Sequence, residues 1–152
     1  MHKIILLLIL LVTFSTNAQR NPFKNLSEKN GKIGIGTSSP DELLTVKGTI
    51  HTQEVKVDLN GAVAPDYVFE KYFNGFSEVL PEYELISLEN LEAFIKTNHH
   101  LPNIPSAEEM EEAGISLKEM NILLLQKIEE LTLYTLQQQK EIDNLKEKVF
   151  EN

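Results

Sequence analysis

A seven-residue repeat near the C-terminus constrains the fold of this chain more than any other feature. Two sets of positions, each spaced by seven, alternate at intervals of four and three residues, as the a and d positions of a coiled coil do. We therefore predict a coiled-coil helix that joins copies of the chain. The a set is Asn121, Ile128, Thr135, Ile142 and Val149, and the d set is Leu117, Leu124, Leu131, Gln138 and Leu145.

The residues around this repeat bear on how many helices meet and in which direction. Glu141 at a g position and Lys146 at the following e position are placed to pair between parallel chains. Between Met120 and Leu136 apolar residues cover most of the helix circumference, which requires cover on more than one side. The a and d residues favour two strands, whereas Leu125 at e widens the apolar stripe. Together with the threefold symmetry that the family resemblance given below implies, this leads us to expect a homotrimer over a dimer. A single amphipathic helix packed on its own domain is the alternative.

The first eighteen residues have the pattern of a signal peptide. Lys3 precedes an apolar run of 11 residues from Ile4 to Phe14, too short to span a bilayer as a helix. Thr16 and Ala18 are the small residues expected before a cleavage site at Gln19. We predict an exported protein, located in the periplasm, at the cell surface or outside the cell, with no stable membrane insertion after cleavage. An uncleaved N-terminal anchor is the alternative.

Short strands are predicted in the first half of the mature chain. Residues 19–30 are polar and without period, and we interpret them as a flexible linker. Residues 31–59 form a predicted β-rich stem, in which Gly34 and Gly36 alternate with isoleucine and allow another backbone to come close. The predicted strands are Lys32–Thr37, Leu43–Val46 and Ile50–Leu59, and a fourth, Tyr67–Phe73, lies in the next segment.

Helices are predicted from residue 87 onward. Ser87 is a candidate N-cap for a helix over Leu88–Thr97, and Pro102 and Pro105 require an extended stretch over His99–Pro105. Ser106 with Glu109 forms a capping box, and Gly114 supplies the stop. Ser116 with Glu119 opens the final helix. The fold class is therefore α+β, with a small α+β segment over residues 60–115 and the coiled-coil helix over residues 116–150.

Composition and motifs exclude several classes of function. The 152 residues carry a net charge of -9, which argues against nucleic acid, and the absence of cysteine removes thiol catalysis and cysteine-based zinc sites. His99-His100 lacks a third ligand at metal-binding spacing, and the acidic run from Glu108 to Glu112 lacks calcium-loop spacing. Nucleotide and hydrolase motifs are absent. We predict no catalytic residue, no metal and no cofactor.

Two stretches of the chain resemble phage tail-fibre-like secreted proteins, which are common in Bacteroidetes-type bacteria. The N-terminal stretch, over residues 32–50, resembles their GIGT-x-x-P and L-x-V-x-G-x-I motifs. The C-terminal stretch resembles the final module of the same proteins through the segments FIK, LPNIPS, GISLKEMN and LQKIEELTLY between residues 94 and 134. The resemblance implies a fibre-like protein and does not imply an activity.

The layout is more distantly similar to the endosialidase-type intramolecular chaperone that ends many trimeric tail spikes. That family implies homotrimers and, in some members, self-cleavage by a serine and a lysine. The chain departs from it here, because Ser77 is followed by Glu78-Val79-Leu80-Pro81 and no serine–lysine arrangement can be aligned.

The leading expectation is an exported, non-enzymatic assembly or surface-fibre-like module that oligomerises through its coiled coil. A self-processing chaperone peptidase is one alternative. An envelope carbohydrate-binding module is another, for which the aromatic cluster is Tyr67, Tyr72, Phe73 and Phe76, although core packing explains these rings as well.

Overall fold

The computed structural model describes residues 23–150, which form a three-stranded sheet followed by four helices. The chain divides into two compact units between Val55 and Lys56. The predicted α+β class with a long C-terminal helix is confirmed. The signal peptide predicted over residues 1–18 and the first part of the predicted linker lie outside the described residues.

The first unit contains a small mixed sheet in the order β1-β2-β3. Strand β1 (Leu26–Lys29) pairs antiparallel with β2 (Lys32–Ile35), and β2 pairs parallel with β3 (Leu44–Val46). The interpretation of residues 19–30 as linker was therefore wrong at its end. The sequence signal for the β1–β2 hairpin was Asn30-Gly31, whose positive φ angles of 55° and 77° form its turn. The strand itself was missed because Ser27, Glu28 and Lys29 are polar.

Gly34 in β2 and Gly36 directly after that strand do allow a close backbone approach. A β-carbon on Gly34 would collide with the carbonyl oxygen of Thr37 and lie 2.7 Å from Oγ of Ser27. That same hydroxyl donates a hydrogen bond of 2.6 Å to the Thr37 oxygen. At Gly36, φ is +74° and a β-carbon would lie 2.8 Å from the carbonyl oxygen of Lys47. The predicted role of these glycines is confirmed.

The predicted strand over Ile50–Leu59 is absent. Residues 49–59 are all exposed, and in the described chain no strand pairs with them. Val55, Val57 and Leu59 remain exposed despite their alternation. Alternating apolar and polar side chains suit the two faces of a sheet. A strand also needs a neighbouring strand, because its backbone N–H and C=O groups require hydrogen-bond partners. None of the residues from 23 to 150 supplies such a neighbour here.

The predicted strand over Tyr67–Phe73 is instead helix α1 (Tyr67–Asn74). Pro65 and Asp66 lie just before it, and Gly75 ends it with φ 83° and an N–H bonded to the carbonyl oxygen of Lys71. Aromatic and β-branched residues favoured a strand. Packing of Tyr67 and Val68 against the last helix outweighs that propensity.

The remaining helices are α2 (Leu88–Asn98), α3 (Ala107–Ala113) and α4 (Leu117–Phe150). The predicted caps are present: Oγ of Ser87 accepts from the Asn90 N–H at 3.2 Å, and Ser106 and Glu109 form both bonds of a capping box. The stretch after α2 is less extended than predicted, because the Ile104 N–H bonds to the Leu101 carbonyl oxygen at 3.1 Å and closes a turn.

The core of the second unit lies between α1, the segment around Tyr83 and the first two thirds of α4. Val68 and Leu133 are fully buried, and the rings of Tyr67 and Tyr83 meet edge to face with centroids 5.0 Å apart. Further partly buried residues pack around them, namely Phe69, Tyr72, Leu80 and Leu85. Among the described helices, none is long and apolar enough to cross a membrane.

Candidate interface on the C-terminal helix

Helix α4 has one face covered by its own domain and one face left open. Its buried residues occupy the b, c, f and g positions of the seven-residue repeat and are Gln126, Glu129, Glu130, Leu133 and Tyr134. The apolar a and d residues lie on the opposite side and keep 46% to 72% of their surface exposed. We call these seven side chains the open face: Leu117, Leu124, Ile128, Leu131, Ile142, Leu145 and Val149.

A buried polar network fixes which face of α4 turns toward the domain. Tyr67 donates a hydrogen bond of 2.9 Å to Oε1 of Gln126, and Nε2 of Gln126 donates one of 2.7 Å to Oε1 of Glu130. The same Glu130 oxygen accepts from the hydroxyl of Tyr83 at 3.3 Å. Lys127 completes the network with an ion pair of 2.7 Å to the other Glu130 oxygen. Rotation of α4 would leave these buried groups without partners, so the network orients the open face outward.

The tyrosines on this side of α4 act as hydrogen-bond donors. Burial, followed by the charge of Glu130, raises the pKa of the Tyr67, Tyr83 and Tyr134 hydroxyls. They therefore stay protonated at neutral pH. Tyr134 donates a short bond of 2.6 Å to the carbonyl oxygen of Ile86, just before α2, and so ties that segment to α4.

One polar group on the covered face is not satisfied. Glu129 is 6% exposed, and its Oε2 has no hydrogen-bond partner. Burial, with a smaller effect from the charge of Asp66, raises the pKa of this carboxyl above its usual value. Since a raised carboxyl pKa favours the protonated folded state, Glu129 destabilises the protein as pH rises through that pKa.

We expect Glu129→Gln to raise the melting temperature at neutral pH. The neutral amide avoids the buried charge, whose cost is about 1 kcal/mol or more. The gain should disappear below the unfolded carboxyl pKa, about pH 4, where both proteins are neutral at this position. Thermal melts at both pH values test this, with the exposed Glu147→Gln on the same helix as the control. An equal effect of both substitutions would contradict the assignment.

The histidine pair singled out in the sequence, His99-His100, has a structural role at the end of α2. His99 caps α2 with a positive φ of 60°, and the His100 ring meets Phe94 edge to face at 5.6 Å. Between residues 23 and 150 there is no group of three or more histidine, aspartate or glutamate side chains placed to hold a metal ion.

Ser77 is buried, and the residues of the aromatic cluster do not share one surface. The Ser77 side chain is 2% exposed, donates to Oε2 of Glu70 at 2.6 Å and accepts from the Val79 N–H. This geometry stabilises a turn and gives a substrate no access to the hydroxyl. The cluster is divided: Tyr67 is in the core, whereas Phe73 and Phe76 are exposed.

The comparisons with known proteins add no family. Neither the family models, nor the curated proteins, nor the solved structures match this chain. The open face of α4 is therefore the feature of the molecule from which a function can be inferred.

Proposed function

We propose that this chain is an exported, non-enzymatic assembly module of the surface-fibre type, in which copies associate through a parallel coiled coil of α4. The observation that carries the proposal is the coincidence of two independent patterns. The seven-residue repeat is a property of the sequence alone, and the open face is a property of how the domain packs. Both select the same side of the helix.

The length of α4 supports association. At about 1.5 Å per residue its 34 residues extend about 50 Å, and the domain covers only part of that length. Full burial of a leucine side chain is worth roughly 1.5–3 kcal/mol. A row of half-exposed leucines and isoleucines at coiled-coil spacing is therefore a strong driving force for a second copy to bind.

A trimer is favoured over a dimer. Ile128, Ile142 and Val149 at a with leucine at d suit two strands, but Leu125 at e is 44% exposed and extends the apolar surface beyond a two-helix seam. The resemblance to tail-fibre-like proteins also implies threefold assemblies. In an assembly of identical chains, the weak contacts that each copy makes to an envelope or surface partner would act together.

The test is the solution mass of the mature chain from Gln19, measured by light scattering at micromolar concentration. We expect three times the chain mass; twice the mass would select a dimer, and a monomer would contradict the proposal. A denaturing gel of the same sample should show one band at full mature mass, because a self-processing peptidase would yield fragments.

Helix direction can be tested with cysteine, since the chain contains none. In a parallel, in-register assembly Val149→Cys brings equivalent residues together and forms a disulfide between copies under oxidation. Glu147→Cys, two residues away on the outer side of the helix, is the matched control and should stay reduced.

A further inference from the structure

The chain contains three Asn-Gly pairs, at residues 30–31, 60–61 and 74–75. In such a pair the backbone nitrogen that follows asparagine can attack the side-chain amide, because glycine has no β-carbon to shield that nitrogen. The asparagine side chain and this nitrogen must meet, which the backbone of a helix or of a paired hairpin prevents until it opens locally. The structure therefore distinguishes the three pairs by how firmly each backbone is held.

Regular structure holds the first and the last pair. Asn30 lies in the β1–β2 turn, and the Gly31 N–H donates a hydrogen bond of 2.8 Å to Oε1 of Glu28. The antiparallel register of the two strands continues to the residues directly before and after this turn. Asn74 is the last residue of α1, and the Gly75 N–H bonds to a carbonyl oxygen within that helix. At both pairs the attacking nitrogen is occupied.

The middle pair lies in a turn with few restraints. Asn60 and Gly61 are both exposed, with positive φ angles of 27° and 84°. The Ala62 N–H closes their turn by donating to the Leu59 carbonyl oxygen at 2.9 Å. Within residues 23–150 nothing accepts a hydrogen bond from the Gly61 N–H, and the residues on both sides of the turn belong to neither a helix nor a strand. The turn can therefore open without disturbing the sheet or the core.

We propose that Asn60 is a site of spontaneous deamidation in the folded protein. The Gly61 nitrogen loses its proton to hydroxide and forms a bond to Cγ of Asn60. The bond from Cγ to the amide nitrogen then breaks, and this nitrogen takes up a proton from water and leaves as ammonia. The succinimide that remains adds one water at either carbonyl, which yields an aspartyl or an isoaspartyl residue. This chemistry needs no enzyme and is independent of how α4 associates.

The modification changes the turn that precedes α1 and leaves the rest of the molecule intact. It adds one negative charge, and the isoaspartyl product also passes the main chain through the β-carbon of residue 60. Asn60 belongs neither to the core around Val68 and Leu133 nor to the open face. The modified protein should therefore keep the melting temperature and the solution mass of the unmodified one.

The test is a time course of the mature chain from Gln19 in mildly alkaline buffer, because loss of the glycine N–H proton starts the reaction. Samples are digested in mildly acidic buffer and mapped by mass spectrometry, which detects the exchange of amide nitrogen for oxygen. We expect Asn60 to react about tenfold faster or more than Asn30 and Asn74, whose pairs must first open locally. In denaturing urea the three pairs should react at similar rates.

Two variants complete the experiment. Wild-type protein should accumulate an acidic species on anion-exchange chromatography. Asn60→Gln should remove it, because the longer side chain closes its ring far more slowly, whereas the matched control Asn30→Gln should not. Equal rates at the three pairs in the folded protein, or a reaction at Asn60 only after unfolding, would overturn the assignment. Since Asn60→Gln should leave the solution mass unchanged, failure here and failure of the proposed function are read separately.

Discussion

Leu131→Asp is expected to convert the associated protein into a folded monomer. The substitution places a carboxylate in the middle of the open face, where burial without a partner costs several kcal/mol. Within a single chain Leu131 is 64% exposed, so the charge stays in water and the domain keeps its packing. Light scattering should show the mass of one chain, while far-UV circular dichroism retains the helical signal.

The control for this variant is Asn144→Asp, which adds the same charge at a c position away from the open face. It should associate as the wild type does. A Leu131→Asp protein of unchanged mass would show that the open face is not the contact, and the proposal would then have no support.

Leu133→Ala, only two residues away, is expected to act on stability rather than on association. Leu133 is fully buried against Tyr67, Val68 and Tyr83. Removing such a side chain costs about 2–5 kcal/mol, which corresponds to a fall in melting temperature of about 10–20 °C for a unit of this size. Thermal unfolding measures this directly, and below the transition the solution mass should be unchanged.

Leu136→Ala provides the comparison for the stability experiment, because this leucine lies on the same helix and is 43% exposed. Its melting temperature should fall by a few degrees at most. The assignment of the covered and open faces would be wrong if Leu133→Ala changed the solution mass of the assembly and Leu131→Asp changed only the melting temperature.

Local signals in the sequence were sufficient to predict where helices α2, α3 and α4 begin. The caps at Ser87, Ser106 and Ser116 depend on side chains within three residues, and they are where the patterns place them. The position of α4 and the identity of its apolar stripe are also local, since they follow from one period along one helix.

The polar network could not be predicted, because its partners are far apart in sequence. Tyr67 lies 59 residues from Gln126, and Tyr83 lies 47 from Glu130. Glutamine and glutamate within a heptad pattern normally indicate a solvated face. Here they are buried because the hydroxyls of two tyrosines satisfy them, and no pattern within α4 distinguishes the two cases.

The sequence was also ambiguous where a segment depends on its neighbours. Tyr67–Phe73 has the composition of a strand and forms a helix because it packs on α4. Ile50–Leu59 has the alternation of a strand, but no strand in the described part of the chain pairs with it. The inference that the first half of α4 needs cover on two sides holds for the domain side. On the other side of the helix, the open face remains exposed in the single chain.

The domain packs against the first part of α4 and leaves its C-terminal part uncovered, and this difference sets the order in which parts of the helix would associate. Residues 138–150 are exposed on every side and extend about 20 Å beyond the anchored part of the helix. An isolated helical stretch of this length is marginal in water, so this end should fray in a lone chain. Association would then begin around Leu124 and Leu131, where the helix packs on its domain, and proceed toward Val149. Amide hydrogen exchange over these thirteen residues would accordingly slow as the protein concentration rises, while exchange in the anchored part stays constant.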